Sequence, residues 1–210
     1  MAYLEFDPNQ HAYFDDGIEV PSVTQILDRA GMISSFCRDE QARWRGQSVH
    51  KLCELYDRTE LINRTQSAKE KGLDFRKIPD ELKGYVRAWQ RYLKESEFIP
   101  VEIEKRIDSI TAGYAGTLDR LGFLPTSNLP VILDIKTSKA GTIAPYVRLQ
   151  LTAYGYGYEP KKIFQRVAVA LRPDGRYSCK SYPTDNYQID VAEWLELVNK
   201  YKGEINANDL

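Results

Sequence analysis

Short alternation opens the chain. Tyr3-Leu4-Glu5-Phe6, a turn at Asp7-Pro8-Asn9, the run from His11 to Phe14 and a turn at Asp15-Asp16-Gly17 predict a small N-terminal hairpin or meander. Pro21-Ser22 then starts a short helix, with Ser22 as N-cap and Gly31 as its stop. From about Arg38 to Asp57 the apolar positions Ala42, Val49, Leu52, Cys53 and Tyr56 recur at helical spacing. Residues 58–78 are polar and basic and read as a loop. Pro79-Asp80 begins another helix, which runs to about Glu97 through Leu82, Tyr85, Val86, Trp89 and Leu93.

Past Pro100 the period drops to two. Val101-Glu102-Ile103-Glu104 alternates as a strand does, and further strands are expected near 114–124 and 130–137. The Pro125–Leu129 segment between the last two is short enough for a hairpin. A helix follows at about 145–157, then a strand at Phe164–Leu171, a Pro173-Asp174-Gly175 turn and a returning strand to about Tyr182. Asp190 is placed to cap a terminal helix through Val191, Trp194, Leu195, Leu197 and Val198. This order predicts one α/β domain over residues 1–210, a mixed central sheet flanked by helices. Within it, 1–35 form the hairpin and short helix, 36–99 a helical part, 100–185 the sheet and its helix, and 186–210 the last helix.

Composition narrows the class. A chain of 210 residues with 42% hydrophobic and 28% charged content can bury a real core. No run reaches the length of a membrane span, and MAYLEFDPNQ is neither a signal nor a transit peptide, so a cytoplasmic protein without membrane contact is expected. The net charge of −1 speaks against a nonspecific DNA coat. It says little against a metal-dependent nuclease, whose acidic ligands lower the formal charge. Cys37, Cys53 and Cys179 lack CxxC spacing and read as three buried thiols in a reducing compartment.

The chemistry gathers between Gly113 and Tyr154. In a hairpin centred near Ser127, facing positions have numbers summing to about 254, which sets Asp119 almost opposite Asp134. Asp134 and Lys136, two apart, project to one face of their strand. Paired carboxylates repel unless a proton or cation lies between them, and Mg²⁺ is typically held by one or two carboxylates plus substrate phosphate oxygens. Lys136 beside them would stabilise phosphoryl charge or orient the attacking water. An Asp-x-Lys triplet alone is too common to identify a site, and the cluster also fits a surface ion network. Gly46, His50 and Glu54 share one helical face, as do Gln150 and Tyr154 on the later helix, where Arg148 is a candidate phosphate contact. The basic stretch between Arg58 and Arg91 reads equally as a DNA path or a solvated face.

Gly46-Gln47-Ser48-Val49-His50, Gly116-Thr117-Leu118-Asp119, Asp134-Ile135-Lys136-Thr137 and Gln150-Leu151-Thr152-Ala153-Tyr154 occur in that order. Together they resemble the PD-(D/E)XK nuclease superfamily in its RecB-like branch, which includes phage-type and mitochondrial genome-maintenance exonucleases. The resemblance implies a restriction-endonuclease-like core and metal ligation by His50, Asp119, Asp134 and the Ile135 carbonyl. It implies Mg²⁺ or Mn²⁺ as cofactor, Lys136 as the catalytic lysine, and Gln150 and Tyr154 as its helix-borne partners. Glu104, on the preceding strand, would support the site. Leu118 stands where the superfamily name has proline. The four-cysteine iron–sulfur cluster of some members is not expected, because the three cysteines are wrongly placed. The function implied is hydrolysis of DNA phosphodiesters at single- or double-stranded ends, in recombination, repair or replication. An inactive nucleic-acid-binding module on the same fold and a restriction-like endonuclease remain as alternatives.

Overall fold

The computed structural model describes residues 4–7, 12–33, 39–65, 72–109 and 112–208. The N-terminal alternation forms a three-stranded antiparallel sheet: β1 (Leu4–Asp7), β2 (Ala12–Asp15) and β3 (Ile18–Val20). Asp16 and Gly17, both at positive φ, make the β2–β3 turn. His11 and Cys37 lie outside the described residues. Helix α1 (Val23–Arg29) has the expected start: Ser22 Oγ accepts from the Gln25 amide, and the Gln25 side chain returns the bond to the Ser22 amide. Gly31, at φ +72°, follows its end.

Helix α2 (Glu40–Thr65) is longer than its periodicity suggested and takes up the first part of the expected loop. Its second half carries Glu54–Arg58 and Lys51–Glu54 pairs on exposed turns, which support helix without an apolar stripe. A short 3-10 turn at Phe75–Lys77 leads to α3 (Asp80–Ser96), whose end is marked by Glu97 in the left-handed region.

Five strands make the main sheet: β4 (Ile99–Ser109), β5 (Tyr114–Phe123), β6 (Val131–Thr137), β7 (Gln165–Leu171) and β8 (Tyr177–Tyr182). They lie in sequence order, and the β6–β7 pair alone is parallel. That pairing needs a crossover, supplied by α4 (Val147–Tyr158), and α5 (Tyr187–Asn208) packs beside it. Both faces of the sheet are covered. Val23, Ile26, Leu27, Leu118, Ile132, Val147, Leu151 and Trp194 pack on the α1–α4–α5 side. Val49, Cys53, Leu82, Trp89, Leu133, Ile135 and Val169 pack on the α2–α3 side. The expected mixed α/β architecture is therefore present, and burial on both faces explains why β6 and β7 read as near-continuous apolar runs.

Two expectations are corrected. Asp190 does not cap α5, which begins three residues earlier; its buried carboxylate instead meets Arg166 and Arg148. Cys179 is not a buried thiol, because it is exposed on edge strand β8, whereas Cys53 is buried. No helix among the described residues is long and apolar enough to cross a membrane.

Candidate functional site

The site lies where the alternation of β5 breaks. Tyr114 donates its hydroxyl to the Ala153 carbonyl of α4, and Gly116 lies under Tyr154, so these positions face the α4 layer. Arg120 faces the other way, toward Asp57 of α2 and Trp89 of α3. The change of face falls at Asp119.

The ladders break on the same row. Ile103 pairs with Arg120 and Lys105 with Leu118, which brings Glu104 opposite Asp119 without joining them in the ladder. Arg120 pairs with Leu133, the last rung of the β5–β6 ladder before Asp119 and Asp134. The hairpin arithmetic of the sequence was thus within one residue of the observed register. In place of a rung, Asp119 Oδ2 accepts the Ile135 amide at 2.6 Å. Glu104 sits at φ +50°, a conformation a β-branched or bulky residue seldom adopts, and this re-aims its side chain. Three carboxylates on neighbouring strands converge, an arrangement that is destabilising unless a cation answers it.

Above this row stands His50 of α2. Its Nε2 donates to the Ile135 carbonyl at 2.8 Å, so two of the expected metal ligands touch each other. Its Nδ1 faces Asp119 Oδ1 at 3.5 Å and Glu104 Oε1 at 3.9 Å. One ligand atom from each of His50, Glu104 and Asp119 lies within 4.8 Å of the others. An imidazole and two carboxylates so close suit Mg²⁺ or Mn²⁺, the imidazole tilting the set toward Mn²⁺. Glu104, expected only as support, thus lies with His50 and Asp119 in a group that could hold a metal ion. Asp134 does not join it here, because its carboxylate is engaged by Lys136.

The electrostatics of the row follow from its crowding of acids. Burial pulls the His50 pKa down, but Asp119 and then Glu104 outweigh it and lift it to about 9. Burial raises Asp119 to about 7, with Asp134 and Glu104 adding to the rise and His50 opposing it. The imidazole faces the Asp119 carboxylate at 3.5 Å, while Arg120 Nη1 donates to the Asp119 carbonyl at 2.6 Å.

Lys136 forms the other half. Its Nζ donates to Asp134 Oδ1 at 2.9 Å and to Gln150 Oε1 at 3.0 Å, and Gln150 Nε2 donates to the Tyr154 hydroxyl at 2.9 Å. Burial would lower the Lys136 pKa, but Asp134 more than offsets this and keeps it above its ordinary value. The side chain is therefore an ammonium at neutral pH, able to donate but not to act as a base. An ammonium has three N–H groups, and one remains for a substrate oxygen. Burial, then Asp134 and Asp119, push the Tyr154 hydroxyl well above its usual range, so it stays protonated. Gly116 makes room for that ring: a Cβ there would come within 2.9 Å of Tyr154 Cε1. Gly46 has no such need, since a Cβ would meet only Thr137 Oγ1 at 3.8 Å.

A support that the sequence did not disclose holds Glu104. Arg120, fully buried, donates Nη1 to Glu104 Oε1 at 2.8 Å and Nε to Asp57 Oδ2 at 2.7 Å; Trp89 Nε1 donates to Asp57 Oδ1 at 2.9 Å. The one signal available was a second charged residue, Arg120, next to Asp119 in a strand that is buried along nearly all its length. Tyr13 reaches in from the N-terminal sheet, its hydroxyl 2.9 Å from Thr117 Oγ1.

Arg148 is not brought to the cluster. Its guanidinium is paired with Asp190 and Glu193 of α5. Of the basic stretch, Arg58 is tied to Glu54, Arg76 to Asp74 and Arg91 to Glu95, while Lys69 and Lys71 lie outside the described residues.

No family model and no curated protein matches the chain. Among solved structures it is similar to an alkaline exonuclease (LHK-Exo) from Laribacter hongkongensis. The identity is 17% over 77% of this chain and 93% of that one, with a TM-score of 0.33. The same exonuclease in complex with dAMP gives 14% identity, the same coverage and a TM-score of 0.31. The structure of SSO0001 gives 14% identity, 71% and 74% coverage, and a TM-score of 0.30. Likenesses this distant do not assign an activity; the side chains of the site must do so.

Proposed function

We propose that the chain is a metal-dependent deoxyribonuclease of the exonuclease type, a RecB-like member of the PD-(D/E)XK superfamily with a restriction-endonuclease-like core. The observation that carries the reading is the meeting of two sets of groups drawn from five separate elements. His50, Glu104 and Asp119 form a cation cluster, and Asp134, Lys136, Gln150 and Tyr154 form a hydrogen-bonded chain beside it. An acidic cation site next to a buried ammonium suits phosphodiester hydrolysis, where negative charge grows on phosphoryl oxygens.

In this reading His50, Glu104 and Asp119 hold the cation, with Asp134 and the Ile135 carbonyl at its border. Bound there, Mg²⁺ or Mn²⁺ supplies Lewis-acid stabilisation of phosphoryl charge. Lys136 donates its remaining N–H to a phosphoryl oxygen, while Asp134 and Gln150 fix the direction of that donor. Tyr154 in turn orients Gln150. Arg120 and Asp57 keep Glu104 aimed at the cluster. The substrate would be DNA ends, and the setting recombination, repair or replication.

The test is a time course on 5′- and 3′-labelled single- and double-stranded DNA with Mg²⁺, Mn²⁺ or EDTA, run beside a closed circle. Degradation of the linear DNA in the metal lanes and an intact circle are expected. No cleavage with either metal would sink the nuclease reading, and a cut circle would replace the exonuclease with an endonuclease.

A further inference from the structure

One cavity near the site is used by none of these roles. It measures about 530 Å³ and is lined by Gln41, Trp44 and Arg45 of α2, Glu81, Leu82 and Tyr85 of α3, Lys139 after β6, and Pro173. We propose that it is a nucleotide subsite, in which Trp44 stacks on one unpaired base of the nucleic-acid strand while Arg45 and Lys139 hold the adjoining phosphates. This rests on the nuclease reading above and names where the substrate strand lies.

Four observations carry it. Trp89 and Trp194 are fully buried, whereas Trp44 is 49% exposed and turns its indole to the cavity. An exposed indole is costly unless something covers it, and a base is a flat partner of matching shape. Gln41, Trp44 and Arg45 are spaced at three and four residues, so one helical face presents the ring, a guanidinium and an amide together. Among the described residues neither Arg45 nor Lys139 has a carboxylate partner, and no hydrogen bond reaches the buried Arg45 Nε. Other surface arginines in this chain, such as Arg76, Arg91 and Arg176, are neutralised by a nearby acid. Glu81 is the single acid on the cavity wall, and Leu82, Tyr85 and Pro173 give it an apolar floor.

Position completes the argument. Trp44 lies six residues before His50, a rise of about 9 Å along α2. Lys139 lies three residues past Lys136, at most about 10 Å of chain. Gly46 and Thr137 face each other between the two sites. A strand whose phosphate reaches Lys136 therefore passes the cavity within the next nucleotides. The volume falls in the range of small-molecule pockets and is large enough for one nucleotide. Stacking on Trp44 needs a base lifted out of its duplex stack, which directs the enzyme to single strands or frayed ends.

The test is fluorescence titration in EDTA, where nothing is cut, with single-stranded oligothymidylate and a series carrying one abasic residue at each position. Emission from Trp44 should be quenched to saturation, while buried Trp89 and Trp194 keep theirs. Trp44→Ala should weaken binding about tenfold, and Trp44→Phe should recover most of it. One abasic position should weaken wild-type binding by the same factor and leave Trp44→Ala unaffected. If that penalty persists in Trp44→Ala, or if Trp44→Ala binds every oligonucleotide as wild type does, the subsite is wrong. The two proposals fail separately: absence of metal-dependent cleavage with the abasic coupling intact removes the nuclease but leaves the subsite. Cleavage without the coupling does the reverse.

Discussion

Two buried charge networks flank the main sheet, and they differ in balance. Between α4, α5 and β7, Arg166 and Arg148 meet Asp190 and Glu193, two guanidinium groups against two carboxylates. Arg166 also donates to Thr152 Oγ1 at 2.6 Å and to the Pro183 carbonyl at 2.9 Å. At the candidate site the acids outnumber the fixed cations. Arg120 is divided between Asp57 and Glu104, Lys136 is taken by Asp134, and Asp119 is left with an imidazolium at 3.5 Å. A network whose charges balance holds elements together. A network in which acids are in excess is one that could bind a metal ion.

The sharpest break between the two is in activity. Lys136→Ala and Asp134→Asn should each lower metal-dependent cleavage about 10³-fold in initial rates on end-labelled DNA. Variants retaining near wild-type rates would move the chemistry elsewhere. Next comes stability. Arg166→Met leaves Asp190 buried with one partial partner, and should cost about 3–5 kcal/mol in urea unfolding, with or without metal. A loss under about 1 kcal/mol would mean the balanced network is ornamental.

A third difference is the response to pH. His50 has a folded pKa of about 9, above its ordinary value of 6.5, so its contribution is full below about 6.5 and lost as pH rises through 9. Asp119, raised to about 7 from 3.8, likewise favours the fold at low pH and loses that contribution as pH rises through 7. The metal-free protein should therefore melt at lower temperature at pH 9 than at pH 6. Saturating Mg²⁺ or Mn²⁺ should restore more of the Tm at pH 9, where fewer protons must be displaced. Asp119→Asn should flatten both trends; a metal effect independent of pH would contradict the assignment of the cluster. The smallest effect expected is at Arg148. Arg148→Ala leaves Asp190 with Arg166, so stability should fall by no more than about 1 kcal/mol and cleavage should not change. A marked loss of cleavage would return Arg148 to the substrate.

The order and type of the main elements were legible because each has a local cause. Helical period placed α3, the alternation of Val101–Glu104 placed β4, and the Pro173-Asp174-Gly175 turn placed the β7–β8 hairpin. The second half of α2 was not, because surface ion pairs rather than an apolar stripe support it. Asp190 misled for a related reason: an aspartate at a helix start satisfies the rule for a cap, and only its neighbours in space show that it serves Arg166 and Arg148.

For the site itself, spacing along the chain put Asp134 beside Lys136 and Gln150 beside Tyr154, since pairs two apart on a strand or four apart on a helix share a face, while the resemblance of the four ordered motifs implied His50 and Asp119 with them. What tertiary structure alone decided is which of them meet. It turned β5 over at Asp119, held Glu104 at a positive φ, and set Arg120 and Asp57 behind it. It gave the carboxylate of Asp134 to Lys136 and that of Glu104 to the cation cluster. The physical reason is range. Periodicity reports contacts within one element, whereas the balance of charge in a buried row depends on groups brought together from α2, β4, β5 and β6.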